Sequence, residues 1–457
     1  MPLVPTTLSD QIQAAAEDPL RVLVVGAGMA GLTTAQLLRG AGLHPVLVDR
    51  MADETHPGYM LAMMPMINPA LDDLDAWTSY RERSIEFTQF RVRAHTGRTL
   101  RTDSLTEVLG RFGEYRGIER GELIEVLSHA GAPVAMATTV SDLRELPDAV
   151  EVTFRQGEQT STARFDVVVV ADGIGSRTRA LVPGGRDTSS TDTGWGGWVV
   201  WAPDDDEGEI GEELWGAGIF LGIYPVLGRR GAFIGGPMAA TAAGPAEFVA
   251  RVRQRLRTVD ARVERVLQAL LADPDPYFWP LKDVRASRWT TARTLLLGDA
   301  AAGFLPTAGV GAGMAIESAW VLARMLIATL PTAEHGRAGS LPSADLAQAK
   351  PIASGDPAPV LAAYEKAQRP RVETAQDTSR GLARLMFSES RLFATLRDAV
   401  LRMLTVERAI RPIVHLLEHP PRPEAVRQGV GGSAHPTGRR GRETGGPVAE
   451  EGNVSRR

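Results

Sequence analysis

Short, mostly apolar runs recur along this chain: Val22–Val25, Val46–Val48, Phe165–Val170 and Thr294–Leu297. Runs of this length without polar alternation predict strands buried on both faces of a parallel sheet. After Val25 the pattern changes to a helical one, with Leu32, Ala35 and Leu38 on one face, and Gly40 and Gly42 end it. Residues 85–102 alternate instead, which predicts a hairpin turning at Thr96-Gly97. Ile118–Leu127 has helical spacing with Leu123 and Leu127 inward, and Pro133–Thr139 and Val150–Arg155 read as strands. From 190 to 284 the runs are short and rich in tryptophan: Gly197–Trp201, Gly218–Tyr224 and Gly231–Gly235, followed by a helix over Ala246–Leu271. This predicts a separate antiparallel lobe backed by helix. Residues 360–418 form long amphipathic helices, with Leu382, Leu385, Leu392, Leu396, Val400, Leu404 and Ile413 on their apolar faces. Residues 1–19 read as a polar lead-in and 331–358 as a Pro/Ala/Ser linker. The stretch from 419 to 457 lacks periodicity and reads as a disordered tail.

The chemistry sits where the buried runs end. Val25 leads into Gly26-Ala27-Gly28-Met29-Ala30-Gly31, and the next run delivers Asp49-Arg50, 23 residues after Gly26. Gly26 permits the tight turn, Gly28 admits a pyrophosphate against the backbone, and Gly31 lets helix and strand pack closely. The helix start supplies free N–H groups for phosphate, and Asp49 supplies an acceptor for ribose hydroxyls. This is the order a dinucleotide-binding unit requires, with an ordinary βα turn as the plain alternative, and it leaves NAD and FAD both open. Phe165–Val170 ends in Ala171-Asp172-Gly173, a second acid-and-glycine turn, although Asp-Gly also occurs in ordinary turns. The run at 294 ends in Gly298-Asp299, then Pro306 and Gly309-Val310-Gly311-Ala312-Gly313 at a second helix start. Arg120, opening its helix, is either aimed at a phosphate or flavin edge or simply solvated. Met60, Met63, Met64 and Met66 fit a bulky apolar ligand and a core equally well. Trp198 and Phe220 are candidates for a pocket wall on the β lobe.

Composition narrows the classes. A 457-residue chain with 44% hydrophobic and 23% charged residues is a globular protein of two or three lobes. The net charge of −5 offers no footprint for nucleic acid. With no cysteine there is no disulfide, thiolate metal site, cysteine nucleophile or flavin tethered through sulfur, and nothing points to a metal. No stretch has the character of an export signal or a membrane span, so a cytoplasmic protein is expected.

Taken together, GAGMAG, DGIGSRTR and GDAAAGFLPTAGVGAGMAIESA resemble the three motifs of the group A flavin monooxygenases of para-hydroxybenzoate hydroxylase type. Arg120 matches the arginine opening that family's R-x-x-L-x-x-x-L helix, and Ala363-Tyr364-Glu365 through Arg369-Pro370-Arg371 is similar to its YE-x-x-R-x-P-R helix. The resemblance spans about residues 20–375. It implies an α/β fold: a Rossmann-like FAD-binding domain from 20–75, 97–190 and 285–335, and a smaller antiparallel substrate lobe from 76–96 and 191–284. C-terminal helices would occupy 359–418.

Asp49-Arg50 would then be the Rossmann acid and its arginine, and Asp172-Gly173 would serve both FAD and NAD(P)H. Asp299 would hold the ribityl chain, and Pro306 with the Gly309–Gly313 backbone would border the isoalloxazine and substrate. The implied activity is hydroxylation or epoxidation of an aromatic or polycyclic small molecule, in a secondary-metabolite setting, by a monomer or homodimer. NADH or NADPH would reduce FAD, O2 would add at flavin C4a, and one oxygen atom would pass to the substrate. A base beside a phenolic substrate would help, and His56, Tyr59 and Tyr224 stand in the pocket-forming stretches, with no spacing singling one out. One departure is Ala302, where the family usually has histidine. A halogenase or reductase on the same scaffold, or a flavin binder without turnover, remain the alternatives. The WGGWVVW segment at Trp195–Trp201 does not match the halogenase W-x-W-x-I-P pattern.

Overall fold

The computed structural model describes residues 3–52, 58–205, 207–330 and 356–423. Residues 331–355 of the expected linker, 424–457 of the expected tail, and His56 lie outside the described residues. The α/β architecture is present, built on a four-stranded parallel sheet in the order Thr294–Leu296, Val167–Val170, Val22–Val25, Val46–Val48. Parallel pairing holds throughout, for example Val168 against Leu23 and Val169 against Leu295. Every buried run therefore ends at the same edge, and its following acid or glycine turn is delivered there. Helices Met29–Gly40 and Gly311–Ile327 pack against each other beside the sheet. Their buried faces join a continuous core with Leu23, Val24, Leu47 and Val169, all inaccessible to solvent.

The second layer is a seven-stranded sheet, mostly antiparallel, made of Phe278–Lys282, Asp192–Pro203, Arg229–Pro237, Phe220–Val226, Ile210–Trp215, Gln89–Arg93 and Thr99–Ser104 in that order. The hairpin expected at Thr96-Gly97 forms. Its second strand stays on this sheet, so the boundary placed at residue 97 divides a paired unit. One face carries Trp198, Leu214, Leu221 and Ile234 against two helices, Pro245–Arg255 and Ala261–Ala272. The other carries Trp195, Val199, Phe220 and Phe233.

The lobe is entered and left through a narrow neck. Thr188–Ser189 pairs antiparallel with Arg285–Ala286, and Lys282 Nζ lies 2.7 Å from Asp192 of the facing strand. Thr191 N–H donates to Asp283 Oδ1 at 2.6 Å. Helix Ala358–Met386 then runs back across both layers, and its Arg380 forks onto Asp283.

Three expectations are corrected. The single helix at Ala246–Leu271 is two, because the chain turns extended at Leu256 and Asp260 caps a new start by accepting from Val263 N–H at 3.0 Å. The polar lead-in contains strand Leu3–Pro5, paired with Ala132–Val134, and helix Leu8–Ala14. Buried Gln11 anchors that helix by accepting from Leu47 N–H at 2.8 Å and donating to Leu47 O at 3.2 Å. Helix Ile118–Leu127 begins at Arg120, because Arg116–Glu119 pairs as a strand with Met60–Met63.

Candidate functional site

The Gly26–Gly31 turn is shaped by contact distances. At Gly26, with φ +105°, a Cβ would sit 2.5 Å from the Ala171 carbonyl oxygen; at Gly31 it would sit 1.8 Å from the Gly26 oxygen. Gly28 has open space on its Cβ side. Helix Met29–Gly40 starts with no side-chain cap and no acid in its first turn, and helix Gly311–Ile327 starts the same way. Both leave N–H groups and the positive end of a helix dipole for an anion. Met29 and Ala30 form the first helical positions of one start; Val310, Gly311, Ala312 and Gly313 form the other.

Asp49 follows its strand, and its two carboxylate oxygens accept from Ala27 N–H and Met51 N–H, at 2.7 and 2.8 Å. The acid thus braces the glycine turn from the neighbouring strand. Arg50 is exposed. Asp172 Oδ2 accepts from Thr178 N–H at 3.3 Å, while its Oδ1 is buried without a protein partner, an orphan acceptor at the turn of Gly173. Asp299 stands at the start of the third turn, after Gly298 at φ +58°. Burial pushes its carboxyl up to about 6, and no protein donor is bonded to it among the described residues. Open Gly28, the two uncapped helix starts, the orphan Asp172 oxygen and the unbonded Asp299 fit a dinucleotide cofactor laid along this edge.

Arg120 opens its helix beside Tyr59: its backbone N–H donates to Tyr59 O at 2.9 Å and its guanidinium bonds the Tyr59 hydroxyl. Asp299 is close enough to Tyr59 to act on its titration. Arg120, Tyr59 and Asp299 therefore converge, which sequence spacing did not show. Pro306 begins a short turn that ends at Gly309 in the left-handed region, φ +63°, and the Tyr115 hydroxyl lies 3.8 Å from where a Gly309 Cβ would be. Ala302 is buried and borders a small cavity with Trp289, Asp299, Phe304 and Met314, so the family's histidine position is packed with apolar groups.

Tyr59 links this edge to the Trp195–Phe220–Phe233 side of the seven-stranded sheet, where it packs with Met60, Trp279 and the loop residue Leu305, and where Phe387 lies 4.9 Å from Trp195 and 5.8 Å from Phe220. The Trp279 ring lies 5.6 Å from Tyr59 and 6.4 Å from Phe233. Of the expected wall residues, Phe220 and Met60 belong here. Trp198 does not: strand alternation turns it to the helix side, against Phe248 and Phe278 at 5.5 and 5.4 Å. Met63 is core packing, 1% exposed, and Met64 and Met66 are buried with it.

The catalytic candidates are also revised. The Tyr224 hydroxyl donates to Glu213 Oε1 at 2.6 Å, and burial raises the Tyr224 and Tyr59 phenols above their ordinary range. Neither is a base near neutral pH. Glu213 was missed because it adjoins Glu212 in an acid-rich stretch, and which of the two faces the aromatic side is set only by the strand's partners.

A family model described as an FAD binding domain matches residues 19–341. The chain is 29% identical over 328 residues to 3-amino-4-hydroxybenzoate 2-monooxygenase of Streptomyces cremeus, covering 66% of this chain and 77% of that protein. It is 28% identical over 323 residues to 2-heptyl-3-hydroxy-4(1H)-quinolone synthase of Pseudomonas aeruginosa, covering 67% and 80%. Among solved structures, Klebsiella pneumoniae HpxO complexed with FAD and uric acid superposes with a TM-score of 0.72 at 22% identity, covering 88% of this chain and 97% of that one. Tetracycline destructase Tet(55) gives 0.60 at 20% identity, covering 88% and 97%.

Proposed function

The chain belongs to the FAD-binding domain family of para-hydroxybenzoate hydroxylase type and is an FAD-dependent monooxygenase, and from that premise we propose that it uses NADH or NADPH to hydroxylate a small aromatic molecule. One observation carries the reading. The edge that gathers Gly28, Asp172 and Asp299 adjoins the aromatic cluster through Tyr59, which Arg120 bonds and Trp279 packs against at 5.6 Å, so a dinucleotide and a planar substrate would meet there. The relatives support the substrate class, since their names give aminohydroxybenzoate and a quinolone.

FAD, when bound, supplies the electron transfer and oxygen activation that no side chain here provides. The chain's own residues bind, orient and seclude. The N–H groups of the two uncapped helix starts would hold the negative charge of FAD, Gly28 on one start and Gly309–Gly313 on the other. Asp49 keeps the first glycine turn in shape. The carboxylates of Asp172 and Asp299 would accept from hydroxyls of the cofactor. Arg120, held against Tyr59, places a cation beside the same edge. Phe220, Phe233 and Trp279 would fix the plane of the substrate and keep water out.

The test is a visible spectrum of the purified protein, then anaerobic titration with NADH and NADPH, with and without a panel of phenols and quinolones. A flavin spectrum that bleaches faster with one compound supports the reading and points to the substrate. A yellow protein that neither nucleotide reduces overturns it.

A further inference from the structure

Glu213 is a carboxylate for which the cofactor has no use. It stands on strand Ile210–Trp215, on the face turned toward the glycine loops, and is part-buried. Trp215 Nε1 donates to its Oε2 at 2.8 Å, and the Tyr224 hydroxyl donates to its Oε1 at 2.6 Å. Its neighbours Glu212 and Leu214 point to the opposite face, where Glu212 is taken up by Arg91 and Arg93. Arg397 lies over the Trp215 ring, 5.8 Å from its centroid, and bonds the carbonyls of Leu385 and Trp215. Among the described residues, no arginine, lysine or histidine pairs with Glu213.

A glycine builds the seat. Gly222 is the cross-strand partner of Glu213, and a Cβ there would meet the Tyr224 hydroxyl at 2.7 Å. The tyrosine therefore folds back across an empty position to reach the carboxylate. Phe87 stacks on Tyr224 at 6.3 Å and meets Tyr115 at 5.0 Å, and the Tyr115 hydroxyl borders Gly309. Glu213 thus lies between the aromatic wall and the loop that Pro306 opens.

Trp215 Nε1 and the Tyr224 hydroxyl both donate to Glu213 and so favour its ionised form, against burial, which pushes its pKa up. Each oxygen accepts one bond and keeps capacity for another. A partly desolvated carboxylate without a counter-charge is costly unless something donates to it. A ligand carboxylate in the same chamber adds like charge.

We infer that Glu213, seated by Tyr224 and Trp215, is the specificity-determining group of the chamber: it accepts a hydrogen bond from an aromatic hydroxyl or amine and turns away aromatic acids. This rests on reading the chamber as the substrate site. Tyr224 and Trp215 are positioning residues, and Gly222 makes room for them.

The experiment uses the FAD-loaded protein and two probes that share a ring and differ by one carboxylate, 2-aminophenol and 3-amino-4-hydroxybenzoate. Dissociation constants are read from the change in flavin absorbance. The wild type is expected to bind 2-aminophenol about tenfold tighter than the acid, the size of one charge-assisted hydrogen bond. Glu213→Gln, close in shape, is expected to abolish the preference, weakening 2-aminophenol and tightening the acid. Gly222→Ala, which displaces Tyr224 and leaves the carboxylate, is expected to reduce it. A wild type that binds the acid as well as 2-aminophenol, a wild type that binds neither, or a Gln variant that keeps the preference each overturns the inference. NADH and NADPH reduction is followed on the same samples. Failure to reduce removes the monooxygenase reading, whereas reduction with unaltered selectivity in Glu213→Gln removes the role of Glu213 alone.

Discussion

Two glycines three residues apart in one turn, Gly28 and Gly31, separate folding from binding. Gly31→Ala drives a methyl to 1.8 Å from a backbone oxygen, so it is expected to lower the thermal midpoint of the flavin-free protein, with about 1–3 kcal/mol lost, and to abolish FAD retention. Gly28→Ala meets nothing in the protein and is expected to keep the midpoint while weakening FAD, read by fluorescence titration. A shared loss in both variants would contradict the assignment of Gly28 to the cofactor. Asp299 makes a prediction with a defined sign. Its carboxyl is raised from 3.8 to about 6 by burial, so folding disfavours its ionised form. Stability from this group is full below the unfolded pKa and is lost as pH rises through about 6. Without flavin, Asp299→Asn is therefore expected to gain on the wild type from about pH 4 to pH 6 and to hold that gain above. The gain is at most about 3 kcal/mol, less whatever solvent still screens at this part-buried site. With FAD the order reverses, because the asparagine lacks a charged acceptor. Denaturation at a series of pH values, with and without FAD, checks both halves.

Among the elements, the buried strands were legible because each is a continuous apolar run closed by glycine or acid, a pattern that needs no tertiary knowledge. The helix at 246 was legible as helix but not as two, since its break rests on Asp260 turning back to cap Val263. Trp198 was misplaced because a strand's two faces look alike until its partners are known. The long helix Ala358–Met386 shows a further dependence on partners. Its Arg371 forks onto Glu317, 2.7 and 2.8 Å away, and Glu317 is 2% exposed on the helix that opens at Gly311. Removing one partner strands the other charge in the core. Arg371→Met is expected to cost about 3 kcal/mol in urea unfolding, and the double change Arg371→Met with Glu317→Leu is expected to recover most of it. Equal losses in single and double variants would show that the pair is not what fastens the two helices.

At the scale of the whole molecule, the cofactor edge spans three separate stretches of chain, so binding there ties them together. Free FAD at a hundred times its dissociation constant is expected to stabilise the fold by about 2.7 kcal/mol, and removing flavin lowers the thermal midpoint accordingly. A midpoint indifferent to FAD would place the cofactor outside this edge. The three glycine-and-acid turns that gather at this edge were readable, because each closes a buried strand run and the parallel pairing brings the run ends together. The substrate half was not, because it rests on cross-strand neighbours such as Glu213 and Gly222, which sequence order does not pair. The neck at Thr188–Ser189 and Arg285–Ala286 gives that asymmetry a further meaning. Between those two short strands the chain leaves the parallel sheet and returns to it through adjoining positions, clasped by Lys282 and Asp192. Most of the wall that meets the substrate is thus carried on a cassette with neighbouring ends. Inheritance, or an engineer, can exchange that cassette for another and give the same oxidising engine a new diet.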